Sequence, residues 1–154
     1  MDLPERLEKY ARDLLPRGRD VPPTLVAVGG QDAVVVDLSL PDPGLRREAA
    51  FRAGVLLGLG GFRMEGAAFV SSGWVAPADG VRPSEHPEKQ EALLLHWSDG
   101  QARGVRLFRV LRTPDGPVLE PWEVPGPPER TEGVLDDFLA GFRLARLGEG
   151  NGTG

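Results

Sequence analysis

Cysteine is absent from the 154 residues. That excludes disulfide staples, thiolate metal ligands and cysteine nucleophiles. Histidine is scarce: only His86 and His96 are present. No H-x-x-x-H, H-E-x-x-H or H-x-H spacing occurs, so a metal site would have to be built largely from carboxylates, and the expectation is that there is none. Lysine is nearly missing too, Lys9 and Lys89 being the only two among 18 basic residues. Neither lysine follows an acid by two positions, so the acid-x-Lys signature of restriction-type nucleases is missing. No apolar run approaches the ~18 residues of a membrane span. The N-terminal stretch "MDLPERLEKYARDLLPR" is charged and has no apolar core of the kind that marks a secretory signal. A cytoplasmic protein is expected, with no membrane association. Net charge is −5, which gives no electrostatic reason to expect nucleic acid as a partner.

What is present is an ordinary globular composition, 40% apolar and 27% charged. The length suits one domain, expected over residues 1–147, with "GEGNGTG" at 148–154 as a disordered tail. Glycine (21) and proline (15) are abundant. A cysteine-free, proline-rich chain fits a thermophilic source, whereas the lack of lysine does not.

Periodicity gives the elements. Leu7, Tyr10, Ala11, Leu14 and Leu15 form one apolar stripe on a helix from about Pro4 to Leu15. Two Val-rich runs flank Gly29-Gly30-Gln31-Asp32 and read as a hairpin covered on both faces. Asp42-Pro43 caps a second helix that stops at Gly60-Gly61. Gly54 and Gly58 share one face of it, which predicts close packing on a neighbour. "GAAFVSSGWVA" is a third strand. "EALLLHW", "GVRLFRVLR" and "VLEPWEV", joined by Asp-Gly turns, are a meander. Thr131 caps a last helix whose buried stripe is Val134, Leu135, Phe138, Leu139, Phe142 and Ala145. The expected class is α+β: a mostly antiparallel sheet of about six strands in the order α-β-β-α-β-β-β-β-α. That order resembles profilin-like and roadblock-like folds, which serve as binding platforms and dimerisation modules.

Other chemistries fare poorly. "GLGGF" ends a helix and precedes a strand, the reverse of a phosphate cradle. Arg103, Arg106, Arg109 and Arg112 are spaced by three on a strand. They therefore alternate between faces and make no continuous basic track.

One stretch stands out. "RPSEHPEKQE", residues 82–91, sets a serine, acids, a histidine and a lysine side by side within the long connection from Pro77 to Gln90. Three consecutive residues, Ser84, Glu85 and His86, cannot easily close both bonds of a catalytic triad, and no G-x-S-x-G elbow is present. Pro83 and Pro87 bracket the segment and stiffen it. Glu85, His86, Glu88, Lys89 and Glu91 suit a hydrogen-bonded knot near Trp74. Such a knot would favour the charged form of His86 if an acid holds it. His96, on a strand beside Trp97, reads as a satisfied sheet histidine.

"SSGWVA" together with "RPSEHPEKQEAL" resembles a recurring pattern in a family of bacterial proteins of similar size. There a strand ending S-E-A-W-M-A leads into P-S-E-H-P-D-R-x-E and an apolar strand. The matching residues are Ser71, Gly73 (for Ala), Trp74, Ala76, Pro83, Ser84, Glu85, His86, Pro87, Glu88 (for Asp), Lys89 (for Arg) and Glu91, with Ser72 standing where the family has glutamate. The likeness covers residues ~66–125 and implies kinship without an activity. The functional expectation is therefore a non-enzymatic binding or interaction module without cofactor. It would act on a protein partner or by self-association as a homodimer, with Trp74, Pro83, Ser84, Glu85, His86, Glu88, Lys89 and Glu91 as its binding residues. The alternative is a hydrolase or metal-dependent enzyme built on Ser84, Glu85 and His86.

Overall fold

The structure is a computed structural model that describes residues 2–15, 21–75, 80–81, 85–122 and 133–152, with side chains through 147. The elements are α1 (Leu3–Asp13), β1 (Thr24–Gly29), β2 (Asp32–Asp37), α2 (Pro43–Leu59), β3 (Gly66–Val75), β4 (Gln90–Ser98), β5 (Arg103–Thr113), β6 (Gly116–Pro121) and α3 (Val134–Gly152). Six antiparallel strands form one curled sheet in the order β2-β1-β3-β4-β5-β6. The expected α+β class and element order both hold.

Local signals place these elements. Asp2 accepts from Glu5 N–H at 2.9 Å and starts α1. Asp42 accepts from Gly44 N–H at 2.8 Å and starts α2, with Pro43 in the first turn. These caps satisfy amides that have no partner within the helix. Gly30, at φ 61°, closes the β1–β2 turn. Asp99 accepts from Gln101 and Ala102 N–H at 2.8 and 2.6 Å, shaping the β4–β5 turn. Those two amides, Ala102 first, hold the Asp99 carboxyl below the usual range.

Alternation along each strand builds a core on both faces of the sheet. On one face α1 sets Leu7, Ala11 and Leu15 against Val26, Val28, Ala68, Val70, Leu93, Leu95, Phe108, Val110 and Leu119. On the other, α2 and α3 set Ala50, Val134, Leu135, Phe138 and Leu139 against Leu25, Ala27, Ala67 and Phe69. β1 is buried throughout, as expected. β2 is not: it is the edge strand, and Val35 is half exposed. The arginines of β5 divide as the alternation requires. Arg106 reaches Glu8 of α1 and Arg112 reaches Glu91, while Arg103 pairs with Asp136 of α3 and Arg109 lies over Trp122.

α2 and α3 run parallel and touch through their backbones. A Cβ on Gly54 would lie 2.0 Å from Phe138 O, and one on Gly141 would lie 2.2 Å from Phe51 O. Gly58 meets Ala145 in the same seam. Here glycine serves close approach, as the Gly54/Gly58 spacing predicts. α3 continues to Gly152, past residue 147, where the tail was expected to begin. Thr131, expected as the cap of α3, lies outside the described residues.

The seam makes a direct prediction. Gly54→Ala drives a methyl into a backbone carbonyl that cannot yield without parting the helices. It should cost about 1–3 kcal/mol, as overpacked cores do. Denaturant melts of the variant and the wild type measure this.

Candidate binding site

The site grows from the end of the sheet where β3 stops and β4 begins. In register, Trp74 lies opposite Glu91, and both side chains fall on the α1 face with Val110 and Arg112. Arg112 donates from Nε to Glu91 Oε1 at 2.9 Å and from Nη2 to Oε2 at 2.6 Å. This fork-to-fork geometry suits a carboxylate only 9% exposed. Beside it, Gln90 Nε2 donates to Glu91 O and Val110 O, both at 3.1 Å.

The segment before β4 is tied back on itself. His86 is 5% exposed, and its Nδ1 accepts from Glu88 N–H at 2.9 Å. His86 O accepts from Lys89 N–H at 3.2 Å. Lys89 Nζ lies 4.7 Å from the centroid of the Trp74 ring, within cation–π range. Glu85 and Glu88 are exposed. Pro83 and Ser84 lie outside the described residues.

Of the expected knot, His86, Lys89 and Glu91 are tied down, by the Glu88 N–H, the Trp74 ring and Arg112, while the side chains of Glu85 and Glu88 face solvent. The bidentate hydrogen bonds of Glu91 come from Arg112 of β5, twenty-one positions away, a partner that the loop sequence does not reveal. The Nδ1 of His86 faces a backbone amide, so that nitrogen carries its lone pair and the ring proton sits on Nε2. A triad would present this same nitrogen to a carboxylate. Trp74 shares its face with Ala68 and Val70 and is 39% exposed. Lys89 lies over one side of its ring. Ser72, at the position where the resembling family has glutamate, is structural: its Oγ accepts from Val21 N–H at 2.9 Å and donates to Val21 O at 3.1 Å.

His96 also departs from expectation. It is 5% exposed on the α2–α3 side of β4, yet its Nδ1 finds no hydrogen-bond partner among the described residues. Burial pushes its pKa below the ordinary value, and Arg103 adds to this against a weaker pull from Asp136. No group of three or more His, Asp or Glu able to hold a metal ion occurs among the described residues.

Sequence reasoning missed a feature at the opposite end of the sheet. A cavity of about 970 Å³ lies there between the β1–β2 turn, the segment that follows α2 and the middle of α3. Gly30, Phe62, Arg63, Glu65, Phe142 and Arg146 are among its lining residues. Glu65 is engaged by the Arg6 guanidinium and by Gly30 N–H at 2.8 Å, and these two bonds, Arg6 first, hold its carboxyl below the usual range. The two glycine pairs, Gly29-Gly30 and Gly60-Gly61, are the only sequence mark of the cavity. The first pair reads from the sequence as a hairpin turn and the second as the stop of a helix.

No protein-family model, curated protein or solved structure matches the chain. Among the described residues no helix is long and apolar enough to cross a membrane.

Two measurements test the geometry. Arg112→Ala leaves the buried Glu91 carboxylate without its fork and should cost about 1–3 kcal/mol; Arg112→Lys should restore only part of this, because an ammonium cannot bond both oxygens in one plane. The second test is pH. The folded pKa of His96 is depressed, so below pH ~6.5 the unfolded chain binds the proton first. The contribution of His96 to stability is complete above that pH and is lost as the pH falls through the folded pKa. Wild type should weaken between pH 7.5 and 5 relative to His96→Leu; parallel profiles for the two proteins would refute this.

Proposed function

We propose that the chain is a small cytoplasmic binding module, not an enzyme, and that it acts through a protein partner and through self-association as a homodimer. The observation that carries this reading is the state of the 85–91 segment. Its polar groups are engaged by the scaffold and by one another: His86 by Glu88 N–H, Glu91 by Arg112 and Lys89 by Trp74. The cavity lined by Gly30, Phe62, Glu65 and Phe142 lies at the far end of the sheet from His86. What remains outward is a rigid, part-exposed indole beside Lys89 and two acids. Rigid aromatic groups with charged neighbours are common anchors of protein interfaces.

The charge pattern favours protein over nucleic acid. Net charge is negative, and all four β5 arginines are paired with an acid or a ring.

Trp74→Ala separates binding from stability. With the ring this exposed, the substitution should cost less than the ~3–5 kcal/mol of a buried tryptophan. It should nevertheless abolish recovery of the partner in a pull-down from the native host that the wild type performs. Undiminished recovery by both Trp74→Ala and His86→Ala would remove this end of the sheet as the site. Light scattering at micromolar concentration tests self-association.

A further inference from the structure

The cavity at the β1–β2 end of the sheet has walls that are tied together. Glu65 N–H donates to Val28 O at 2.8 Å, and Met64 N–H to Phe62 O at 3.1 Å. Arg6 bonds Glu65 and donates to Gly30 O at 2.7 Å, which locks the β1–β2 turn to the segment that follows α2. A Cβ on Gly29 would lie 2.2 Å from Arg63 O, so these two backbones also touch directly. Walls fixed in advance lower the ordering cost of binding. Phe62, Met64 and Phe142, all half-buried, give the cavity an apolar lining. A second hollow of about 150 Å³ shares Met64, Glu65 and Phe142 with it and reaches Leu139. At about 970 Å³ the larger space sits at the upper end of the ~300–1,000 Å³ of small-molecule sites.

Among the described residues, Asp32, Arg63, Glu65 and Arg146 are the charged side chains that line it. Glu65 is taken by Arg6 and Gly30, and Arg146 has a partner of its own. Asp32 and Arg63 differ. Both are exposed, and neither side chain forms a hydrogen bond or ion pair with a described residue, nor do they meet each other. One unengaged cation and one unengaged anion thus line a single apolar-walled space. A ligand of one sign would satisfy one of them and be repelled by the other. We propose that the cavity binds a small zwitterion with an apolar body: a short peptide, or a free amino acid of the same chemistry. The ligand carboxylate meets the Arg63 guanidinium, whose fork suits two oxygens. The ligand ammonium meets Asp32, and its apolar side chains lie against Phe62, Met64 and Phe142. The adjoining hollow gives room for a second side chain and so favours a dipeptide. This goes beyond the function proposed above, because the cavity lies at the other end of the sheet from Trp74 and each site can fail without the other.

An NMR titration of the full chain with leucyl-phenylalanine tests this, read at the amides of Gly30, Gly61 and Arg63. The dipeptide should shift these amides in a saturable way. Its N-acetylated and C-amidated forms should each bind at least roughly tenfold more weakly, since each loses one charge-assisted bond. Arg63→Gln should bind the dipeptide and its amide alike, and Asp32→Asn should bind the dipeptide and its N-acetyl form alike. Both residues are exposed, so the circular dichroism of the variants should match that of the wild type. L-phenylalanine separates the two sources: binding tighter than that of the dipeptide assigns the site to an amino acid, weaker binding assigns it to a peptide. The proposal is overturned by unmoved amides at millimolar dipeptide and amino acid, by blocked forms that bind as well as the free dipeptide, or by undiminished binding in both variants. Should a variant fail to fold, the blocked ligands decide on the wild type alone.

Discussion

The contact on which the rest of the molecule depends is the backbone seam between α2 and α3. Two helices at ordinary side-chain separation span a wide strip of sheet. Here Gly54, Gly58 and Gly141 remove the side chains from the seam, and the helices lie shoulder to shoulder over β1 and β3. That closeness drives Val134, Leu135, Phe138 and Leu139 into the sheet, where all four are buried. It also turns the leucines that do not fit the seam or the sheet to the outside.

The curl of the sheet completes the arrangement. The α1 face gathers β1, β3, β4, β5 and β6 into one core around a single helix, so Leu119 of the last strand belongs to the same cluster as Val28 of the first. The opposite face is covered only in part. Leu94 and Leu107 are half-buried there, and Val105, Leu111 and Val118 are more than a third exposed. The curl also carries Arg112 of β5 to Glu91 of β4, on the same edge as Trp74. This end of the sheet is thus a product of strand register: a slip of one residue would turn Trp74, Glu91 and Arg112 to the other face.

Much of this was legible along the chain because the signals are local. Asp2, Asp42 and Asp99 act through amides two or three residues away, and the sequence shows them directly. The alternation of the β5 arginines needs only the two-residue period of a strand. The Gly54/Gly58 pair announced a close neighbour, though not that the neighbour would be α3 or that it would run parallel. Less of the candidate site could be read. The loop's composition drew attention to residues 85–91, but the partner of Glu91 comes from β5, and the exposure of Trp74 depends on what the sheet places above it.

The sequence by itself determined the elements, their order, the caps and turns, and which side chains share a face, because each follows from backbone geometry within a few residues. Only the tertiary structure decided which face each helix covers, how far that cover extends and which charges meet. It joined Glu91 to Arg112, left the Nδ1 of buried His96 without a partner among the described residues, opened the cavity behind Glu65, and set Leu56 and Leu59 in solvent. The physical reason is that burial and pairing are properties of the space between elements. That space is fixed by how closely helices and strands can approach, and here three glycines set the approach.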